Sequence, residues 1–379
     1  MSESSLKIGI SCYPTLGGSG VVAAELGKLL AEKGHSVHFI SAGIPFRLGR
    51  YYPNVYYHEV EVNQYDVFRY PPYDLTLASK MAQVAIREKL DLLHVHYAVP
   101  HAVCAILARQ MVEKPLKVVT TLHGTDITVL GYDETLKEII RYGINQSDVV
   151  TAVSDHLIQE TKTILQVERP IHKVYNFVDI RQYEKNKGSP PVLKERYAPH
   201  NEKLIVHISN FRPVKRVLDV ARIFKKIRSQ LKAKLILIGE GPELPKVWHW
   251  LKRNNLEQET VFLGKQNDVA DILYQTDLMI LPSEKESFGL VALEAMASGI
   301  PVIASSAGGI PEVVAHEETG LIFPVGDVEG MAEGALRLLT NPDLYQRFSA
   351  AAKERTVLHF NAEKILDQYL NLYRLALKG

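Results

Sequence analysis

Short apolar runs alternate along this chain with longer stretches in which apolar residues recur every three or four positions. In the first half the runs fall at residues 7–11, 37–41, 55–60, 92–96, 118–122 and 149–153. They are too short for stable helices and fit buried strands. Helical spacing fills most of the gaps, for example 21–33 and 79–89. The pattern then restarts, with runs at 204–209, 234–238, 261–263, 278–281, 302–304 and 320–323. Helical segments at 218–231, 244–254, 289–298 and 328–339 lie between these, and the tail 361–377 is an amphipathic helix. Strand-helix alternation predicts α/β architecture, a parallel sheet with helices on both faces. Here it predicts two such sheets.

Length agrees with two sheets. At 379 residues the chain has room for two or three domains of roughly 150 residues each. Pro, Gly and polar residues concentrate in 182–201, around Lys185-Asn186-Lys187-Gly188-Ser189-Pro190-Pro191, which reads as a loop or linker. The change of domain is placed nearby, around 171–178. In open parallel sheets ligands bind outside the carboxyl ends of the strands. With two Rossmann-like domains facing each other, the expected active site is the cleft between them, and functional residues should follow strands.

Composition narrows the classes. Hydrophobic residues make up 46% and charged residues 23%, with a net charge of +1. That balance is ordinary for a globular protein and leaves no basic footprint for nucleic acid. Cys12 and Cys104 are too few for a disulfide framework or a thiolate metal site, so a reducing, cytoplasmic compartment is expected. The start of the chain lacks the features of a signal peptide, and no apolar stretch reaches the roughly 18 residues of a membrane span.

Candidate chemistry follows the strands. Pro14-Thr15-Leu16-Gly17-Gly18-Ser19-Gly20 comes after the first strand and runs into a helix. Glycines there let backbone N–H groups approach an anion at a helix start. The loop is neither a Gly-x-Gly-x-x-Gly fingerprint nor a P-loop. His123-Gly124-Thr125-Asp126 follows the strand at 118–122 and puts a histidine at a strand end. His94 and His96 share one face of their strand; packing, rather than a metal, is the reading for His94. In the second half, Ser209-Asn210-Phe211-Arg212-Pro213-Val214-Lys215-Arg216 brings three cations to a strand end, as a diphosphate requires. Gly239-Glu240-Gly241-Pro242 forms a turn after the next strand. The strongest element runs from Glu284 to Gly299. Ser287 is the expected N-cap and Gly299 the stop, which aims the N–H groups of Phe288, Gly289 and Leu290 at an anion. Glu286 and Glu294 stand eight residues apart, roughly 12 Å along a helix. Two carboxylates flanking an anion-binding helix end suit a ligand with hydroxyls on both sides of a diphosphate, the layout of a nucleotide sugar. No Asp-x-Asp occurs to hold a divalent metal. The positive potential is expected from Lys215, Arg212 and the helix ends, with no metal.

Glu286-x7-Glu294 in this setting resembles retaining glycosyltransferase family 4, whose fold is GT-B. The likeness extends over nearly the whole chain and includes the glycine loop, His123-Gly124-Thr125-Asp126, Lys215, Gly239-Glu240-Gly241-Pro242 and Gly308-Gly309-Ile310-Pro311-Glu312. It implies an acceptor-binding domain over 1–170 joined by a C-terminal helix, 361–379, that crosses back to it, and a donor-binding domain over 171–360. It also implies that Glu294 holds the ribose hydroxyls and Glu286 the donor hexose. Lys215 would bind the diphosphate, together with Gly17, Gly18 and residues Ser287 to Leu290. Asn210, Gly239, Gly241 and Lys265 complete the donor side, and His123 lies near the reacting sugar. Asn210 stands where the family usually has an arginine, and the resemblance leaves that role to either Asn210 or the nearby cation Arg212.

Residues 209–216 and Ile8-Gly9-Ile10-Ser11-Cys12-Tyr13-Pro14-Thr15 resemble one branch of that family. The branch moves N-acetylglucosamine from UDP-N-acetylglucosamine to L-malate, the first step of bacillithiol biosynthesis. Ser19, Arg69, Tyr97, Thr125 and Arg141 are the residues this implies for the acceptor. Alternatives are an epimerase of the same fold acting without acceptor, a binding protein without turnover, and a family 4 transferase with another small or lipid acceptor. A homo-oligomer is left open.

Overall fold

The computed structural model describes residues 5–14, 17–49, 51–64, 66–184 and 192–378. Thr15 and Leu16 of the glycine loop, and 185–191 at the heart of the expected linker, lie outside the described residues. The chain divides into two compact units, Met1–Asn176 with Ala362–Gly379, and Phe177–Asn361.

The first unit is built on seven parallel strands. They are β1 (Lys7–Ser11), β2 (Ser36–Ser41), β3 (Val55–Glu59), β4 (Leu92–His96), β5 (Lys117–Leu122), β6 (Val149–Ala152) and β7 (His172–Lys173). Their order across the sheet is β3-β2-β1-β4-β5-β6-β7. Six match the runs read from the sequence to within a residue at each end. β7 escapes such a reading, because its two residues carry no periodicity. Chain order runs outward from β1 through β2 to β3, then returns to β4 on the other side of β1. Ile8 therefore pairs with Val37 on one side and Leu92 on the other. Loops leaving β1 and β4 diverge at that reversal and open a crevice at the strand ends.

The second unit repeats the plan with β8 (Lys203–Ile208), β9 (Ala233–Ile238), β10 (Thr260–Gly264), β11 (Leu278–Leu281), β12 (Val302–Ser305) and β13 (Gly320–Phe323). Their order is β10-β9-β8-β11-β12-β13, so the reversal lies between β8 and β11. Every strand pair in both sheets is parallel. β4 and β11 are buried along their whole length, as parallel strands covered on both faces must be. The segment flanking the expected linker holds two short helices, Ile180–Glu184 and Val192–Tyr197. The Leu193 N–H donates to Gln275 Oε1 at 2.7 Å, which docks the latter helix on the second unit.

Long helices cover the sheets. Gly18–Glu32 is buried on nearly every side, because the sheet and the tail helix Ala362–Lys378 both pack on it. Gly27 makes room for Phe39, whose ring a Cβ would meet at 2.4 Å. The tail helix buries Ile365, Leu366, Tyr369, Leu370, Tyr373 and Ala376, one stripe at helical spacing, and packs beside β5 and β6. Tyr373 reaches the middle of the sheet, where its hydroxyl lies 2.7 Å from His94 Nδ1. His94 Nε2 lies 2.7 Å from Thr121 Oγ1. His94 is thus a satisfied core histidine, as its placement on the strand suggested.

The tail helix is therefore part of the first unit's core. Tyr373→Ala should destabilise that unit by about 3–5 kcal/mol, the range for emptying an aromatic site. Tyr373→Phe should cost about 1–3 kcal/mol, since it keeps the ring but leaves His94 Nδ1 unpaired in the interior. Chemical denaturation of both variants checks the order. Equal stabilities of Tyr373→Phe and the parent would show that the hydrogen bond contributes nothing.

Candidate active site

In the second unit the loops leaving β8 and β11 flank the reversal. His207, buried on β8, sets the first of them. Its Nδ1 lies 2.8 Å from the Ile280 carbonyl and so carries the ring proton. Nε2 then accepts from Ser209 Oγ at 2.9 Å, and that hydroxyl accepts from the Phe211 N–H at 3.2 Å. Burial pushes His207 down to about 4, which keeps it neutral and its tautomer fixed. From there the chain turns through buried Phe211 into the single turn Pro213–Lys215. The Glu284 N–H donates to the Val214 carbonyl at 2.7 Å, joining the two loops through their backbones. Lys215 Nζ meets Glu286 Oε2 at 2.6 Å, with both side chains more than four-fifths buried. The structure thus brings together the residue expected at the donor hexose, Glu286, and the one expected at the diphosphate, Lys215.

The neighbouring cations differ. Arg216 turns to Asp219, with Nε 2.6 Å from Oδ2. Arg212 is exposed and has no ion pair among the described residues. Asn210 is exposed beside it. Gly239 and Gly241 serve the packing of this loop. A Cβ on Gly239 would stand 1.8 Å from the Ser209 carbonyl oxygen, and one on Gly241 would stand 2.1 Å from that of Asn210. Only glycine allows the loop after β9 to press on the backbone after β8. Lys265, after β10, makes an exposed 3.2 Å ion pair with Glu240.

The segment after β11 departs from the sequence reading at one point. Ser287 does not cap the helix. The helix is Leu290–Ala297, and its N-cap is Gly289 at φ 95°. Gly289 takes this place because its backbone is left-handed and because a Cβ would lie 2.5 Å from Ile310 Cδ1. Its capping position leaves the first-turn N–H groups from Leu290 onward without intrahelical acceptors. Phe288 is buried against Phe360, their ring centres 5.8 Å apart, which anchors the loop. The Gly309 N–H donates to the Glu286 carbonyl at 2.9 Å, so the glycine pair after β12 holds the same loop from its other side. Glu294 is buried, 3% exposed, in the body of the helix. Gly299, at φ 77°, ends the segment.

In the first unit a group of rings gathers at the ends of β4 and β5. Tyr97, at φ 88°, leaves β4 in a conformation that bulky residues rarely adopt, and its N–H donates to Thr121 O at 2.9 Å. Its ring lies 5.5 Å from that of Tyr13, just after β1, and 5.4 Å from that of His123, just after β5. Buried His101 stands edge-on to Tyr13 at 4.6 Å. His123 Nε2 and His96 Nδ1 are 2.7 Å apart. Asp126 ties the loops together: its carboxylate accepts from the Ala98 and Gly124 N–H groups, each at 3.0 Å. Burial raises Asp126 to about 6 against the pull of those donors. Gly17 caps the helix Gly18–Glu32 without a side-chain bond, which leaves its first N–H groups open beside Gly18 and Ser19. Thr125 is exposed at the start of Thr125–Thr128.

Two residues assigned to the acceptor make contacts with sequence neighbours instead. Arg69 is exposed over the Tyr70 ring, 5.6 Å from its centre. Arg141, on the helix Glu134–Gln146, pairs with Glu138 one turn back. His96, His101, Asp126 and Tyr13 join this cluster of side chains but were not singled out from the sequence for it. Among the described residues, His38, His58 and Glu88 lie close enough to share an ion. Their own hydrogen bonds already knit them, since Arg87 donates to His58 Nδ1 at 3.0 Å and His58 Nε2 lies 2.9 Å from His38 Nδ1.

Models of known families match both halves of the chain. Residues 16–182 match the model described as Glycosyltransferase Family 4, and 192–355 match Glycosyl transferases group 1. The chain is 55% identical over 368 residues to N-acetyl-alpha-D-glucosaminyl L-malate synthase of Bacillus anthracis, covering 97% of this chain and 96% of that one. The chain belongs to glycosyltransferase family 4. An uncharacterized family relative from Methanocaldococcus jannaschii is 27% identical over 97% of both chains. Among solved structures, a glycosyltransferase from Rickettsia africae superposes with a TM-score of 0.81 at 20% identity, covering 99% of this chain and 100% of that one. Anabaena HepE, solved in complex with UDP and glucose, gives 0.80 at 21% identity, covering 97% and 99%. Both likenesses show the GT-B fold. The glycines after β9 and β12 share one role in this structure, which is to let the loops of the second unit press together.

The buried histidines give the molecule a pH signature. Burial lowers His94 and His101 to about 3 and His38 and His207 to about 4. Unfolded, each would titrate near 6.5. The unfolded chain therefore binds more protons below that pH, and stability is lost as pH falls from about 6.5 toward 4. Each histidine contributes about 1.4 kcal/mol per pH unit in this window. Asp126 opposes them, because its raised group binds a proton in the folded state between about 4 and 6. Denaturation midpoints should be flat above pH 7 and fall steeply below 6.5. A midpoint constant down to pH 5 would contradict the neutral histidine core.

Proposed function

We propose that this chain is a retaining transferase that moves N-acetylglucosamine from UDP-N-acetylglucosamine to the hydroxyl of L-malate, opening bacillithiol biosynthesis. The observation that carries the reading is the 55% identity, over 97% of the chain, to a protein named for that product. Both substrates are charged metabolites, which fits a cytoplasmic enzyme.

On this reading the second unit holds the donor. Lys215, Arg212 and the N-terminus of Leu290–Ala297 supply positive potential to the diphosphate. Glu286 takes hydroxyls of the hexose and Glu294 those of the ribose. The 2.6 Å contact between Lys215 and Glu286 keeps each charge satisfied until the donor arrives. The donor then separates the pair, with Lys215 turning to phosphate and Glu286 to sugar. In the reaction the bond from the anomeric carbon to the phosphate oxygen breaks, the bond to the malate oxygen forms, and the malate hydroxyl proton passes to the departing phosphate oxygen. UDP leaves as the anion that Lys215 stabilises. No divalent metal is required, because that charge is met by side chains and helix N–H groups.

The direct test is product analysis with the purified protein, UDP-N-acetylglucosamine and a panel of small hydroxy acids. Malate should give an α-linked N-acetylglucosaminyl product, at a rate unchanged by EDTA. Release of an epimerised sugar nucleotide without acceptor would replace the reading, and loss with EDTA restored by magnesium would remove its metal-free part.

The acceptor needs its own cation, because malate and the diphosphate are both anions. Arg141 offers a planar fork that matches a carboxylate. It is held by Glu138 in a partly exposed pair, worth less than about 1 kcal/mol, so malate can displace the glutamate. Arg141→Ala should raise the malate KM at least tenfold with donor affinity nearly intact, and Arg141→Lys should recover only part of it. An unchanged malate KM in Arg141→Ala would move the acceptor carboxylate to Arg69 and Tyr97.

A further inference from the structure

His96 lies at the end of β4 and is fully buried. Among the described residues its one polar partner is His123: Nδ1 of His96 faces Nε2 of His123 at 2.7 Å, while Nε2 of His96 is buried with no partner. The rings are held in place. His96 stacks on His94 at 4.6 Å and on His123 at 5.0 Å, and His94 is itself fixed by Tyr373 and Thr121.

Two neutral imidazoles facing at 2.7 Å share one proton. If His123 Nε2 carried it, His96 would need its own proton on Nε2 and would bury an N–H without an acceptor. If His96 Nδ1 carries it, the buried Nε2 is a bare lone pair. Orphaned N–H groups are the rarer and costlier of the two in protein interiors. The second arrangement therefore holds. It has a consequence for His123, whose Nε2 becomes the acceptor and whose Nδ1 must carry a proton. That Nδ1 has no hydrogen bond among the described residues, and His123 is only partly buried.

We propose that His96 is a positioning residue that fixes His123 as the Nδ1–H tautomer, so that His123 meets a substrate oxygen as a hydrogen-bond donor and does not act as a base. Burial lowers both rings well below the usual histidine range, which keeps the pair uncharged at neutral pH. The proposal rests on the transfer of N-acetylglucosamine proposed above only for what His123 touches; the tautomer is a property of the free protein.

Two readouts separate these parts. Ring nitrogen-15 spectra of the full-length free protein, assigned with His123→Asn, should show His123 Nδ1 protonated and Nε2 bare. A protonated Nε2 overturns the proposal whatever the activity. The second readout is kinetics with UDP-N-acetylglucosamine and malate. His96→Asn keeps an N–H donor close to the Nδ1 position, His96→Gln offers one near Nε2, and His96→Phe offers none. His96→Phe and His96→Gln should lose tenfold or more in kcat with donor KM within twofold, while His96→Asn stays within threefold of the parent. Equal losses in all three, or none in any, would make His96 a packing residue and overturn the positioning role. If the parent turns over no malate, the transfer reading fails, and the nitrogen spectra still decide the tautomer.

Discussion

The reversal of strand order beside β1 in one sheet and beside β8 in the other is the constraint on which both sites depend. Loops leaving the two strands at a reversal diverge, so their side chains and N–H groups face a shared space instead of a neighbouring helix. In the second unit that geometry lets Lys215 and Glu286, 71 residues apart, meet at 2.6 Å. In the first it lets rings that follow β1, β4 and β5 form one group. The chemistry depends on the topology, and the topology depends on apolar strands buried on both faces.

The two units hold their loops in place by different means. The second relies on backbone contact. Gly239, Gly241 and Gly309 each stand where a Cβ would collide with a carbonyl oxygen of a site loop, at 1.8, 2.1 and 2.3 Å. Close packing of this kind fixes main-chain atoms, as an anion bound by N–H groups requires. The first unit relies on buried polar side chains. His94, His96, Thr121 and Asp126 are fully buried, and most of their polar atoms are paired with one another or with loop N–H groups. Such a network loses its value when one member is removed, so it specifies a single arrangement of the loops it joins.

Much of this was legible in the sequence. Twelve of the strands announce themselves as apolar runs, because burial on both faces leaves little choice of residue. Lys215, Glu286 and His123 are legible because they follow such runs. What escaped detection depends on distance in space or on weak local signals. β7 has two residues and no period. The long helix Pro342–His359 buries little beyond Phe348, Ala352 and Thr356, a stripe too thin to stand out. Ser287 looked like a cap because serine commonly caps helices, yet the contact with Ile310 selects Gly289 for that place. His96 read only as a strand residue and His101 drew no reading, and only the fold brings them to Tyr13 and His123.

The central claim is that Lys215 and Glu286 pair with each other and take different parts of the donor once it binds. Calorimetric affinities for UDP and for UDP-N-acetylglucosamine, measured on the parent, Lys215→Ala and Glu286→Ala, test it most directly. Lys215→Ala should weaken both ligands alike. Glu286→Ala should weaken the sugar nucleotide but leave UDP unchanged or slightly tighter, since Lys215 is then free for phosphate. Equal weakening of both ligands by Glu286→Ala, or unaltered UDP affinity in Lys215→Ala, would contradict the account.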